Sequence, residues 1–502
     1  MEVKKNLLKT FSWSMIASLL WGCIEPATLT TSIRRDVAGR DTSRESSGET
    51  NQKRSLGGDQ HNADRKTTKQ QPAAPNPVQS PVAQPSPPPV AVPVAEPVPV
   101  AQPVSVAQPA QLTPKCGDAF ELSPNGNDDV GNDQCGPFRT LKKLSSVLQH
   151  QGKADGRAIV YIRPGTYPAQ DFPPGKYFGL GHNYNREEVV FNGYTFGSSE
   201  CIGTYASVIH NVTIQSLQCD GHWAMSAVQV LKPLEMQNVL IRWNKVVGLG
   251  IRSSNVTLNS VEMMGNLNGI SIGHWQGVGG NMPHFNNLNL LSNIRITNSS
   301  SHHNNLGVDN PKWAGMDYTY QHDGRWHVEP EWIGGGGKVA FTNGVYVENF
   351  SGYNNIGPGL WFDTTNLHVE VKNSNFYENW SHWRGGGIGL VIENSYGGTY
   401  VENNQFWGND KFALAVWESL HTRIAGNHFN GGIVDLRSIP RPGENNAGAG
   451  EFYLQYTKFV HNSFGGGYVQ YSDDWWHQQR INKNMDWTTL HQNFGVTEWV
   501  GE

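Results

Sequence analysis

Short apolar runs recur in the second half of this chain, and each closes on a carboxylate. They are Gly359-Leu360-Trp361-Phe362-Asp363, Gly389-Leu390-Val391-Ile392-Glu393 and Leu414-Ala415-Val416-Trp417-Glu418. The acidic ends lie 30 and 25 residues apart (393−363 and 418−393). Asparagine-rich turns separate the runs: Ser374-Asn375-Phe376, Asn404-Gln405-Phe406, Asn427-His428-Phe429 and Asn462-Ser463-Phe464. Self-similarity at periods of roughly 20–50 residues predicts stacked coils, each burying its apolar face against the next. Alternation then sorts the side chains. Laid over one another without gaps, the runs predict Leu360, Phe362, Leu390, Ile392, Ala415 and Trp417 inward. Trp361, Asp363, Glu393 and Glu418 would point outward, as would Asp435 and Arg437 one coil on. Leu306-Gly307-Val308-Asp309 fits the same frame. The carboxylates would form a row with rungs roughly 4.8 Å apart, the inter-strand spacing.

Further strands fall between Asn/Gly turns at Asn211-Val212-Thr213-Ile214, Asn238-Val239-Leu240-Ile241, Asn255-Val256-Thr257-Leu258 and Asn293-Ile294-Arg295-Ile296. Asn at such bends suits the left-handed backbone region, and its amides can hydrogen-bond from coil to coil. Upstream, Gly136-Pro137-Phe138-Arg139-Thr140-Leu141 leads into an amphipathic stretch to Leu148 that reads as a helix. Ala158-Ile159-Val160-Tyr161-Ile162 reads as a buried strand and is followed by Arg163-Pro164-Gly165-Thr166-Tyr167. This series resembles the N-terminal cap of pectate-lyase-like right-handed parallel β-helix proteins, where a helix plugs the solenoid and a strand opens its first coil. The fold class expected is all-β: a single-stranded right-handed parallel β-helix (solenoid) with an N-terminal cap helix, spanning residues 115–502, preceded by a disordered Pro-rich stalk.

The chain ahead of that domain has no apolar pattern able to form a core. Residues 1–22 read as a signal peptide: Lys4, Lys5 and Lys9 precede an apolar stretch, Phe11 to Leu20, too short to span a bilayer as a helix. Leu20-Trp21-Gly22-Cys23 resembles a bacterial lipobox, which implies lipidation at Cys23 and anchoring at the outer membrane or cell surface. Ordinary cleavage near Ala27 is the alternative. Residues 23–70 are polar and read as disordered. Residues 71–114 hold 14 of the 28 prolines and read as a semi-rigid spacer. Four cysteines remain, Cys116, Cys135, Cys201 and Cys219, an even number in an exported chain. Neighbouring positions favour Cys116–Cys135 and Cys201–Cys219, although four cysteines permit three pairings.

Charge excludes one class of partner. Residues 1–70 carry 12 Lys/Arg and 8 Asp/Glu, residues 71–114 only Glu96, so the rest holds 26 basic and 34 acidic residues, a net −8. A domain of that balance has no electrostatic footprint for nucleic acid.

Stacked carboxylates demand a proton, a metal ion or a neighbouring cation. A shared proton suits glycoside hydrolysis. A calcium ion held by Asp363, Glu393 and Glu418 could bridge to an acidic sugar. Neighbouring Arg437, Arg384 or Lys411 would instead make a salt-bridged wall. Glu331-Trp332, Gly334-Gly335-Gly336-Gly337-Lys338 and Gly357-Pro358-Gly359-Leu360-Trp361-Phe362-Asp363 resemble a subgroup of bacterial β-helix proteins that repeat a GGGK…GPGLWFD…E-x-S pattern. In related polysaccharide lyases a Lys or Arg takes the proton α to a uronate carboxylate. That resemblance implies Lys338 as base, its glycines keeping it accessible, with Asp363 and Glu393 as acid or metal groups. Trp361, Trp332, Trp383 and Arg437 would bind substrate. Trp313, Trp326 and Trp380 extend an aromatic cluster of which several members should be exposed, within and beside a loop-like insert from Pro311 to Gly337. His302-His303, His322 and His327 raise a metal centre as a further option. The function expected is β-elimination on an acidic polysaccharide by an exported, surface-anchored protein. Glycoside hydrolysis, or carbohydrate binding without turnover, are the alternatives.

Overall fold

The computed structural model describes residues 117–194, 201–219, 225–273, 289–309, 311–330, 334–382, 385–439, 454–472 and 478–501. The signal segment, Cys23, the polar and Pro-rich segments, Cys116, Glu331, Trp332, Trp383 and Arg384 lie outside the described residues.

The described residues from Ala119 onward wind as a parallel β-helix. One sheet stacks Ile202–Thr204, Ser226–Val230, Val247–Ile251, Asn268–Ile272, Gly335–Val339, Leu360–Phe362, Ile388–Glu393, Phe412–Trp417, Ile433–Arg437 and Tyr468–Ser472, each parallel to the next. Gln478–Ile481 turns back antiparallel on the last of these. A larger sheet takes two strand segments from each coil, for example Leu291–Thr297 and Ser300–His302, or Asn366–Lys372 and Asn375–Tyr377. The bend between the two segments falls on a residue of positive φ in coil after coil: Asn238, Ser260, Asn298, Asn349, Asn373, Asn403, Gly426 and His461. Asparagine dominates because its short amide tolerates this region better than other side chains do. Asn211, Asn238, Asn255 and Asn293 all have positive φ, and their amides pair across coils as expected, Asn238 to Asn211 and Asn293 to Asn255, each at 2.9 Å.

A second asparagine ladder is buried from Asn244 to Asn379 and ends on the half-buried Asn409. Asn244, Asn266, Asn304, Asn355, Asn379 and Asn409 follow one another at a single corner. Each amide donates to the next Oδ1, as Asn304 does to Asn355 and Asn355 to Asn379 at 3.0 Å. Each Oδ1 also accepts a backbone N–H from the preceding coil. The amides leave no room for neighbours with side chains. A Cβ on Gly359 would lie 2.9 Å from Asn379 Nδ2 and 2.6 Å from Gly389 O, and one on Gly336 would lie 2.0 Å from Gly359 O. The glycines of the Gly334–Gly337 run therefore serve close packing of successive coils. They do not open a path to Lys338, which is 7% exposed.

Inward columns fill the core. Leu360, Leu390, Leu414, Val434 and Val469 stack in one, and Val339, Phe362, Ile392, Val416 and Leu436 in the next. Phe376, Phe406, Phe429 and Phe464, one per asparagine-rich turn, stack at 4.9–5.4 Å between ring centroids. The helix Leu141–His150 sets Leu141, Leu144, Val147 and Leu148 against the first coils, with the Thr140 hydroxyl capping its N-terminus through Lys143 N–H. Cys201 and Cys219 form the expected disulfide; Cys135 is also disulfide-bonded, and its expected partner Cys116 is outside the described residues.

The insert folds inward. Thr319–His322 and Arg325–Val328 make an antiparallel hairpin, Trp313 is fully buried, and its indole donates to Lys245 O at 2.7 Å. Leu306–Asp309 is not a rung: Val308 bridges antiparallel to Trp326, and the strand beneath Gly335–Val339 is Asn268–Ile272. His327 stacks on Tyr320 at 5.2 Å, and its Nδ1 lies 2.8 Å from Asn305 O. His322 sits beside Asp323.

Two expectations follow. Replacing Asn355 with Ala strands buried partners on both adjacent rungs and should cost about 3 kcal/mol, read from the urea midpoint; Gly359→Ala should be comparably damaging through overlap. Burial is the main cause that holds the His327 pKa below its ordinary 6.5. The neutral ring is thus the folded form, and stability present above about pH 6.5 should be lost as pH falls below it. Thermal unfolding between about pH 7 and pH 5 should show a falling Tm, with a shallower slope in His327→Gln.

Candidate functional site

The groups singled out by the sequence converge on the outer side of the smaller sheet, but not in the frame expected. Leu360 pairs with Leu390 and Leu390 with Leu414, so the third run is displaced by one residue from the gapless overlay. Such a slip exchanges the two faces of a strand. Leu414 and Val416 enter the core, while Ala415 and Trp417 lie outside with Trp361, Ile388, Val391 and Phe412 in a separate apolar cluster. Trp417 stands opposite Glu393, and Arg437 opposite Trp417. Glu418 falls one residue beyond, at a corner with φ 45°, and is 0% exposed. The three carboxylates do not form one row.

What they form is a chain of cations, indoles and carboxylates. The Lys338 ammonium pairs with Asp363 Oδ2 at 2.8 Å and lies 3.9 Å from the centre of the Trp361 ring. Asp363 also accepts from the Thr364 hydroxyl at 2.8 Å. The Trp361 indole donates to Glu393 Oε2 at 3.1 Å, and Glu393 Oε1 accepts from Arg437 Nη2 at 3.2 Å. Arg437 also grips Glu418 with two bonds, Nε to Oε1 at 3.0 Å and Nη2 to Oε2 at 3.2 Å, and Ile439 N–H adds a third bond to that carboxylate. The Arg437 guanidinium lies 3.9 Å from the Trp417 ring, whose indole donates to Asp435 Oδ2 at 2.7 Å. Gln470 and Ser472 supply Asp435 Oδ1. The same unit, a cation on an indole that bonds a carboxylate, occurs twice.

This wall is dry. Lys338, Trp361, Glu393, Trp417, Glu418, Asp435 and Arg437 are all buried, and Asp363 is nearly so. Burial pushes the Asp435 carboxyl above its ordinary value, against the hydrogen bonds from Gln470, Trp417 and Ser472 and the charge of Arg437. A calcium ion shared by Asp363, Glu393 and Glu418 does not fit this arrangement, because the Arg437 guanidinium fills the space between two of them and Lys338 takes the third. Arg437 likewise spends its donors on protein carboxylates. Trp361, expected to point outward, is buried, and so is Trp313 of the aromatic cluster; Trp326 is half-buried and Trp380 is 51% exposed.

A different face is open. On the second segment of the larger sheet, Ser300, Ser351, Asn375, Gln405 and His428 succeed one another outward on consecutive rungs. Beside them the buried His302 and the partly buried Tyr353, Tyr377 and Trp407 stack face to face at 4.5, 4.7 and 4.3 Å. The sequence signal for this row lies in Phe376-Tyr377 and Phe406-Trp407, where alternation puts the second ring outside.

The model described as right handed beta helix region matches residues 226–429, and the described residues have the fold of a right-handed parallel β-helix. No curated protein matches it. Among solved structures, it is similar to the mannuronan C-5 epimerase AlgE4 A-module of Azotobacter vinelandii (10% identity, 66% of this chain and 95% of that one, TM-score 0.37). It is also similar to pectate lyase Pel9A (15%, 71% and 77%, TM-score 0.36). A third is a mannuronic acid specific polysaccharide family 6 lyase from human gut microbiota (11%, 76% and 91%, TM-score 0.38). With scores this low, the family match and the strand register define the fold.

Arg437→Met should test the wall directly. It keeps the packing over Trp417 but leaves Glu393 and Glu418 buried without their shared cation, a loss of about 3–5 kcal/mol in chemical unfolding. A loss under about 1 kcal/mol would mean that water reaches these carboxylates.

Proposed function

We propose that this β-helix binds a polysaccharide along the open face of its larger sheet, that the polymer is acidic, and that the Pro-rich segment and a lipid at Cys23 hold it at the exporting cell's surface. The observation that carries this reading is the pair of outward rows described above. Polar side chains and stacked rings repeat at the spacing of successive coils, roughly 4.8 Å. A linear lattice of donors, acceptors and ring edges suits a linear polymer of hydroxyl-rich units, because each unit meets a similar set of groups. Gln405, His428 and Asn430 are exposed, and Ser300, Ser351 and Asn375 partly so.

A second reading, β-elimination at Lys338 with Asp363 and Glu393, is favoured by one observation. Lys338, Trp361, Asp363 and Glu393 come from the three separate motifs and meet on three successive rungs. For Lys338 to act there, a uronate carboxylate must first displace Asp363 from its ammonium. Hydrolysis by Glu393 and Glu418 has no comparable support, since Arg437 stands where water and sugar would go.

The test is co-sedimentation of the full chain with a panel of neutral and acidic polysaccharides, with ultraviolet absorbance followed for unsaturated ends. Ser351→Glu and Asn375→Glu should each weaken retention of an acidic polymer about tenfold by placing like charge in the row. Unchanged retention would remove the open face from consideration. Unsaturated product that disappears in Lys338→Met would establish the second reading instead.

A further inference from the structure

At the N-terminal end of the open face the sheet carries a chain of proton-bearing groups. Glu262 lies in Val256–Met264, and His302 ends the next rung, diagonally across from it. Glu262 Oε1 lies 3.0 Å from His302 Nε2, and Arg186 binds the other oxygen. The carboxylate assigns the proton to His302 Nε2, leaving a lone pair on Nδ1. That atom is 2.8 Å from His303 Nδ1. His303 therefore donates from Nδ1 and keeps a lone pair on Nε2, on a half-buried ring. Tyr353 fixes both rings, stacking on His302 at 4.5 Å and meeting His303 edge-on at 5.9 Å.

The adjoining rung provides a platform. Gly265, opposite His303 through Gly265 N–H to His302 O, has no side chain, and the Trp243 indole comes within 2.8 Å of where its Cβ would be. Trp243 is 48% exposed. The Arg242 guanidinium lies 4.0 Å from its ring, held by Gln215 at 2.9 Å through Nε and Glu187 at 3.2 Å through Nη1. Among the described residues its Nη2 has no partner, which leaves it for a ligand.

We infer that Glu262, His302 and His303 form a proton relay in which His303 Nε2 is a general base toward a uronate residue seated on Trp243, its carboxylate held by Arg242. This goes beyond binding but rests on the polysaccharide reading for its ligand. In the step, His303 Nε2 takes the proton from the carbon α to the carboxylate. The electron pair left behind forms a carbon–carbon double bond and expels the glycosidic oxygen, which takes a proton from water; His303 then returns its proton to solvent. Glu262 and His302 are positioning residues, and they spread the charge that His303 acquires. Consistent with this, burial and the neighbouring His302 hold the His303 pKa below its ordinary value, so the ring is neutral and able to accept a proton near pH 7.

The relay is tested without ligand by nitrogen-15 NMR of the imidazoles in the full chain. His303 should be the Nδ1–H tautomer at pH 7 and titrate below the ordinary imidazole range, and Glu262→Gln should change the His302 tautomer. His303 found as an imidazolium, or protonated on Nε2, overturns the relay. The seat is tested by diethylpyrocarbonate acylation with polygalacturonate and polymannuronate as probes. Modification of His303 should slow several-fold in a polymer that the protein retains, and not in Arg242→Gln. Full-rate modification of His303 with polymer bound overturns the seat. Where unsaturated product forms, His303→Asn, chosen because Asn accepts the positive φ, should lower kcat about 100-fold, and Glu262→Gln should lower kcat with KM unchanged. Product lost in Lys338→Met but retained in His303→Asn assigns the base to Lys338 and refutes this inference. Retention of neither polymer would refute the proposed function, while the NMR titration would still decide the relay.

Discussion

The buried asparagine ladder is the constraint on which the rest of the structure depends. A solenoid must turn its corners inside its own wall, where backbone N–H and carbonyl groups have neither sheet partners nor water. Here Asn266, Asn304, Asn355 and Asn379 each give a donor to one rung and an acceptor to another, so a corner is satisfied only by the coils above and below. The bonds lock every coil in register with its neighbours. They also oblige Gly248, Gly269, Gly336, Gly359 and Gly389 to lie against the amides, where a Cβ has no space. Sequence repeats, strand register and glycine placement are thus one constraint seen three ways.

Register, once locked, decides which chemistry meets. The smaller sheet brings Lys338, Trp361, Glu393, Trp417 and Arg437 into contact because they occupy outward positions on successive rungs, and the result is a closed, internally satisfied wall. Removing one cation from such a wall leaves a carboxylate with burial and no compensation. The larger sheet presents its outward positions to solvent, and there the side chains are hydroxyls, amides, imidazoles and ring edges. The two faces obey the same stacking rule, but the first is closed by its own ion pairs and the second meets solvent.

Much of the fold was legible before any coordinates. Period, turn asparagines and the capping helix all follow from local pattern. The error at Glu418 is instructive for its cause. An overlay of the acidic residues places Trp417 in the core, whereas Leu414 and Val416 fill the inward columns. A charge is a weak marker of register; the apolar column is a strong one. The buried Asn ladder is not legible in the sequence, because its members sit at irregular spacings of 22 to 51 residues, stretched by the insert.

The sequence by itself determined that this protein is a stack of similar coils, where its strands and left-handed bends fall, and which side chains could carry charge or bind sugars. Those properties are local: they depend on alternation and on what each residue's own backbone allows. Which charged groups end as mutual partners, and which remain open, was decided only in three dimensions. Lys338 and Arg437 are quenched by residues one or two coils away, and Glu262, His302 and His303 are joined across rungs some 40 residues apart in the chain. Such contacts arise from packing between coils, on which no single segment carries information.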